Sequence, residues 1–256
     1  MSGRFLPVYQ TNALFEASRR IPSIWQRRAS QAFVLEFCQD LRTAGIADLF
    51  LTGTSREILR CLQQSGQAFA YFLDGSSDAN RVASQSLPLF DAIAAGEMSL
   101  AAKIAGTLRK TFAPGDEYEE DFLFVDFVTN HFFLGRPAAA SQACLDRHEQ
   151  VLEGSDDPRL DVSRALLAKD AAAFDKALGW FMSERKRRYD ALAKQDAVAP
   201  ERLLTEGRLS VEGIALVRLA RQSGMTTADD YPQVPSLVLE TAATAAAPDS
   251  WTKVSG

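Results

Sequence analysis

Apolar residues recur at three- and four-residue spacing along most of this chain, which is the periodicity of helices that bury one face. The first strong stripe runs through residues 31–42, and Gly45 is placed to end that helix. Thr54 and Glu57 fit a capping box, in which each side chain satisfies a free backbone N–H at a helix start. We therefore expect a second helix over residues 58–73.

The same spacing predicts further helices over residues 87–95, 100–111, 138–152 and 210–224, with a long helical stretch from Pro158. Residues 122–134 are apolar on nearly all sides, which is typical of a helix at the centre of a helical protein. Their many Phe and Val residues leave a buried strand as the alternative. Residues 48–52 are also strand-like, although they are too few to organise a sheet.

These patterns predict an all-α protein of about ten helices, with residues 1–240 as a single domain. No alternation of apolar and polar residues between hairpin turns indicates a sheet. No repeat period is visible, although paired helices could still stack as a loose solenoid. Residues 241–256 are rich in Ala, Thr and Ser, and we expect them to form a frayed tail.

The composition indicates a soluble domain with a sizeable core, since 46% of the 256 residues are hydrophobic. The formal net charge of −5 argues against a nucleic-acid partner, which would require an excess of Lys and Arg. No run approaches the roughly 20 apolar residues that cross a bilayer, and the N-terminus has no apolar run of signal-peptide length. We therefore expect a cytoplasmic protein with no membrane partner.

The residues that usually carry chemistry are few and widely spaced. Cys38, Cys61 and Cys144 form no CxxC pair, so we expect reduced, mostly buried thiols. His131 and His148 lie outside any HExxH motif, and we expect His131 in the core with one hydrogen bond and His148 exposed. Phosphate-binding glycine loops and the GxSxG nucleophile motif are also absent. The sequence therefore predicts a binding protein with no catalytic residues, no metal and no cofactor.

Charge is distributed unevenly along the chain. Residues 116–161 hold twelve acidic residues against three arginines, a local net charge of −9, whereas residues 1–30 and 184–194 are basic. Such a negative field would speed encounter with a basic partner. The alternatives are that the acidic block packs against the basic segments of the same chain, or that it is a solvated helix start. The candidate partner-binding residues are the seven carboxylates Asp116, Glu117, Glu119, Glu120, Asp121, Asp156 and Asp157.

The last third of the chain resembles a known family. The resemblance is carried by ALLAKD at 165–170, FDKAL at 174–178, ERKRRY at 184–189, SVEGIALVRLARQSGM at 210–225 and YPQVP at 231–235. This order resembles the all-α immunity proteins of bacterial polymorphic toxin and type VI secretion systems. The nearest are the immunity protein 49 family and the immunity partners of DNase toxins with a PD-(D/E)xK core. The resemblance covers residues 160–239, and the rest of the chain is similar in helical character only.

The resemblance implies a cytoplasmic antitoxin that binds one cognate toxin and has no catalytic residues to transfer. We therefore expect this chain to occlude the active site of a secreted toxin, and a nuclease is favoured because nucleases are basic where they bind phosphate. Two other hypotheses stay open. One is a helical scaffold or regulatory module of TPR-like kind that binds a peptide or protein partner. The other is an enzyme with a carboxylate-based site around Asp126 and His131.

Overall fold

Helices form nearly all the regular structure in the computed structural model, which describes residues 3–242, 244 and 246–254. Within those residues there are twelve α-helices and no strand, which confirms the all-α prediction. None of the described helices is long and apolar enough to cross a membrane. The helices are α1 (Leu6–Trp25), α2 (Gln31–Thr52), α3 (Arg56–Asp74), α4 (Leu87–Ala94), α5 (Met98–Thr107), α6 (Glu119–Phe132), α7 (Ala138–Leu152), α8 (Pro158–Ala168), α9 (Ala171–Lys194), α10 (Pro200–Leu204), α11 (Val211–Gln222) and α12 (Ser236–Glu240).

The helices α1, α2 and α3 pack side by side. Gln10 near the start of α1 donates to Asp48 near the end of α2 at 3.0 Å. Further along α1, Arg20 pairs with Asp40 of α2 at 2.6 Å, so the two helices run in opposite directions. Most buried side chains of the three helices belong to one continuous apolar core, whereas Leu6 and Ala47 pack with Leu204 in a small second cluster.

Gly45 does not end a helix, contrary to the sequence prediction. It lies inside α2, where an added Cβ atom would approach the Cα of Ile58 in α3 to 2.8 Å. The glycine therefore allows α2 and α3 to pack closely, and α2 continues to Gly53, whose φ of 67° suits glycine. The strand-like residues 48–52 form the last turn of this helix.

The capping box predicted at residues 54–57 does not form. The residue that caps α3 is Ser55, and its side chain makes no hydrogen bond to the first turn of the helix. The Ser55 hydroxyl lies 2.6 Å from the Thr241 hydroxyl instead, and the Thr54 hydroxyl lies 2.9 Å from that of Thr52. The helix nevertheless forms where it was predicted, because its apolar face packs on the core.

The most hydrophobic segment forms α6, so the strand alternative is wrong. Eight of the fourteen residues of α6 are buried, and Phe124 stacks on Phe90 of α4 with ring centroids 5.7 Å apart. The preceding helix α5 ends at Thr107, earlier than the predicted residue 111, because the backbone at Leu108 is extended. The helix α6 contacts α5, α7 and α8, and it therefore links the first helices to the acidic part of the chain.

The helices α7, α8 and α9 position many of the acidic residues. Asp157 caps α8 by accepting the backbone N–H of Arg159 at 2.8 Å, and Pro158 occupies the first helical position as predicted. A short turn joins α8 to α9, in which Lys169 has a φ of 53° and Asp170 caps the first turn of α9. The two helices therefore form an antiparallel hairpin.

The C-terminal residues are packed on the domain where the structure describes them. Trp251 is 1% exposed and lies among the rings of Trp25, Phe37 and Tyr71. The frayed-tail prediction is therefore wrong for this segment, because one tryptophan buries enough apolar surface to hold it in place. The same prediction for residues 243, 245, 255 and 256 lies outside the described residues.

Candidate functional site

The acidic residues 116–121 surround the start of α6, where the helix dipole favours negative charge. Glu117 has a structural role, since its carboxylate accepts the backbone N–H groups of Ser84 at 3.0 Å and Ala113 at 3.2 Å. Asp116 is exposed and lies 3.4 Å from the guanidinium of Arg109. Glu117 therefore holds the turn before α6, while Asp116 faces solvent.

The carboxylates in the first turn of α6 meet arginines from the next two helices. Glu119 accepts two hydrogen bonds from Arg147 of α7, at 2.7 and 2.9 Å. Asp121 lies 2.6 Å from the guanidinium of Arg159 in α8. Glu120 is half-buried and has no ion pair among the described residues. Two of these three carboxylates are therefore partly neutralised within the chain.

Arg159 joins the two predicted acidic segments into one surface. Its guanidinium contacts Asp121 and also Asp157, the latter at 2.9 to 3.2 Å. Asp156 is exposed and forms no ion pair in the described part of the chain. We call this set the acidic surface, and it consists of Asp116, Glu117, Glu119, Glu120, Asp121, Asp156 and Asp157.

The acidic surface stays negative after its internal ion pairs are counted. Its seven carboxylates meet three guanidinium groups, those of Arg109, Arg147 and Arg159, which leaves a net charge of −4. The basic segments 1–30 and 184–194 supply none of these three arginines. The Arg147–Glu119 pair has an exposed guanidinium, and exposed ion pairs add little stability. Pairing within the chain therefore accounts for part of the acidic charge and leaves the rest for solvent or a partner.

His148 is buried, so the prediction that it would be exposed is wrong. Ser141, Leu145 and His148 recur at helical spacing on the inner face of α7, although the residues on either side of His148 are charged. The Nε2 atom of His148 lies 3.3 Å from the carboxylate of Asp157. Burial raises the pKa of Asp157, but the nearby His148 imidazole and the hydrogen bonds from Arg159 outweigh that effect, and the net shift is downward.

Replacing Asp157 with asparagine is expected to destabilise the protein in a pH-dependent way. Asparagine can still cap α8 but cannot accept the charged hydrogen bonds, so we expect a loss of about 1–2 kcal/mol in the free energy of unfolding near pH 7. Because the folded pKa of Asp157 lies below the usual value of about 3.9, its contribution is present above that pH and is lost as the pH falls towards the folded pKa. Urea unfolding should therefore show a smaller loss at about pH 3 than at about pH 7, and equal losses would contradict this role.

No hydrogen bond or ion pair links Asp126 to His131 in the described part of the chain. Asp126 lies beside the Cys144 thiol on one side of α6. His131 stacks on Phe127 with ring centroids 5.2 Å apart, and its Nδ1 atom lies 3.4 Å from the Ser141 hydroxyl. His131 therefore makes the hydrogen bond predicted for it, but it is half-buried and does not lie deep in the core. This geometry gives no support to the enzyme hypothesis.

The three cysteines are free thiols, as predicted. Cys38 and Cys61 are buried, and Cys144 is half-buried with its sulfur 3.4 Å from the carbonyl oxygen of Leu123. Burial raises the pKa of Cys38 to about 12, so the neutral thiol occupies the core. The cysteines therefore act as small core side chains.

Arg42 and Asp91 form a buried ion pair that the sequence analysis missed. The Arg42 Nε atom lies 2.7 and 2.9 Å from the two carboxylate oxygens of Asp91, and the Ser65 hydroxyl donates to the same carboxylate. The available signal was Asp91, the single charged residue of the apolar pattern at 87–95, whereas Arg42 is one of several charged residues in α2. Because both groups are buried and bonded to each other, this cluster belongs to the core.

The chain is an all-α protein that carries an acidic surface. Among the described residues, no cluster of side chains could hold a metal ion. The family model for immunity protein 49 matches residues 29–237. The chain belongs to the immunity protein 49 family, and it is therefore an immunity protein that binds a cognate toxin. The match confirms the resemblance and extends it well beyond residues 160–239. Searches of the curated proteins and of the solved structures found no match.

Proposed function

We propose that this immunity protein neutralises a nuclease toxin by covering the toxin's active site with the acidic surface. The observation that carries the proposal is that two separate acidic segments meet at Arg159. The resulting acidic surface keeps a net charge of −4 after its three paired arginines are counted. Nucleases carry Lys and Arg where they bind phosphate, so a surface of carboxylates can compete for the same groups. Attraction between the two surfaces would also speed their encounter.

The cellular setting follows from the substrate of the toxin. A nuclease acts where nucleic acid is, so the immunity protein would act in the cytoplasm of the cell that it protects. The resemblance to immunity proteins of polymorphic toxin and type VI secretion systems favours a role in competition between bacteria. Because the immunity protein has only to cover the toxin, the proposal requires no catalytic residue or cofactor in this chain.

Glu120 and Asp156 are the carboxylates of the acidic surface that are best placed for docking. Neither has an ion pair among the described residues, so a Lys or Arg of the partner need not displace an internal arginine. Asp121 and Asp157 already hold an arginine of this chain, and their replacement would disturb the fold. Substitutions at Glu120 and Asp156 therefore break no internal ion pair of the described residues.

The cognate toxin provides the test. We expect an equimolar amount of the immunity protein to abolish cleavage of plasmid DNA or cellular RNA by that toxin. The variant Glu120→Lys/Asp156→Lys should associate about tenfold more slowly at low salt, with a weaker salt dependence. The matched control is Asp229→Lys/Glu240→Lys, which changes the net charge equally at two exposed residues outside the acidic surface.

The proposal has three parts, and each can fail separately. A toxin that cleaves neither DNA nor RNA would refute the nuclease assignment. Cleavage that continues when the toxin is saturated with the immunity protein would refute occlusion of the active site. Equal association rates for the two double variants would show that the acidic surface is not the docking surface.

A further inference from the structure

A groove of about 390 Å³ runs between α8 and α9. Its floor is formed by small side chains, with Ala165 and Ala177 buried and Ala173 exposed. Trp180 stands at the far end from the turn that joins the two helices, and its side chain is half-buried. We call this hollow the Trp180 groove, and it is defined by the three alanines and the indole ring.

The indole ring of Trp180 is available for contact with a partner. Its Nε1–H donates to Glu184 at 3.0 Å, so its polar edge is satisfied within α9. The ring lines the groove and is half-buried, so part of it is open to solvent. The short side chains of the floor leave room for an apolar side chain against the ring.

The Trp180 groove is continuous with the acidic surface. A second hollow of about 200 Å³ adjoins it, and both are lined by Asp161, Arg164 and Trp180. The second hollow also reaches Asp156 and Asp157, which belong to the acidic surface. A partner that is drawn to the acidic surface would therefore meet the groove directly beside it.

The charges around the two hollows fit a basic occupant. Two of the five carboxylates that line them are paired with arginines of this chain. The other three form no ion pair in the described residues, and they are Asp156, Asp161 and Asp170. Lys176 is the one lining cation without an ion pair in the same part of the chain. An excess of negative charge therefore rims an apolar floor.

We propose that the Trp180 groove binds a basic segment of the toxin that places an apolar side chain against Trp180. The inference rests on the proposed function and deepens it. The acidic surface sets the rate at which the toxin associates, and the groove sets the rate at which it dissociates. Protein interfaces have an apolar centre that carries most of the affinity and a polar rim that contributes less. The groove lies at the lower end of the range of about 300–1,000 Å³ for binding pockets, which suits inserted side chains.

Filling the groove tests the inference without disturbing the core. Ala173 is exposed, so Ala173→Leu adds atoms to the groove, whereas Ala172→Leu adds the same atoms at an exposed position that does not line it. With the toxin immobilised, we expect Ala173→Leu to raise the dissociation rate about tenfold or more and to leave the association rate nearly unchanged. Ala172→Leu should match the wild-type protein in both rates.

Trp180→Ala makes the opposite change, because it removes the ring instead of blocking access to it. We expect the same faster dissociation, and thermal unfolding of each free variant reports whether its fold is intact. Ala173→Leu decides the question if Trp180→Ala unfolds. Equal dissociation rates for Ala173→Leu and Ala172→Leu would overturn the groove inference and leave toxin binding intact. Failure of the wild-type protein to bind the toxin would overturn the proposed function itself.

Discussion

Replacing Asp91 with alanine is expected to lower the free energy of unfolding by about 3–5 kcal/mol. The variant leaves the Arg42 guanidinium buried without its carboxylate, and an unpaired buried charge is strongly unfavourable. Asp91 is 1% exposed and Arg42 is 5% exposed, so both charges are shielded from solvent in the native protein. Urea unfolding followed by circular dichroism measures the loss.

Two further variants test whether the buried pair is the cause. Arg42→Met/Asp91→Leu replaces both charges with apolar side chains and should be more stable than Asp91→Ala alone. Asp190→Ala removes the exposed partner of Lys186 and should change the free energy of unfolding by less than about 1 kcal/mol. A loss at Asp91 no larger than the loss at Asp190 would contradict this account of the core.

Replacing Trp251 with alanine is expected to cost about 3–5 kcal/mol in the free energy of unfolding. The ring centroid of Trp251 lies 5.2 Å from that of Tyr71 and 5.9 Å from that of Trp25, so the variant would leave a cavity between α1 and α3. Lys253→Ala changes an exposed side chain in the same segment and is the matched control. Equal denaturation midpoints for the two variants would show that this segment adds nothing to the core.

Most of the helices could be predicted from the sequence because a buried helix face has a clear period. The helices α4, α7 and α11 cover the residues where that period places them. The role of Gly45 could not be predicted, because a glycine resembles a helix stop unless the neighbouring helix that requires its space is known. The packing of Trp251 could not be predicted for a similar reason. The segment is rich in Ala, Thr and Ser on average, but the burial of a single tryptophan ring fixes the position of the segment.

The acidic residues of the candidate site could be found from the sequence, but their partners could not. Counting charges identifies the carboxylates, whereas the link between Asp121 and Asp157 through Arg159 depends on how α6 and α8 pack. The burial of His148 is indicated only by its helical phase, because both of its neighbours in the sequence are charged. The groove beside Trp180 is a property of two packed helices, and a single sequence does not specify their separation.

Hydrogen exchange of the immunity protein, free and bound to its toxin, locates the docking surface most directly. We expect toxin binding to slow exchange at the start of α6, in the turn between α7 and α8, and along the hairpin of α8 and α9. Slower exchange confined to α1 and α2, with no change at those three places, would contradict the account.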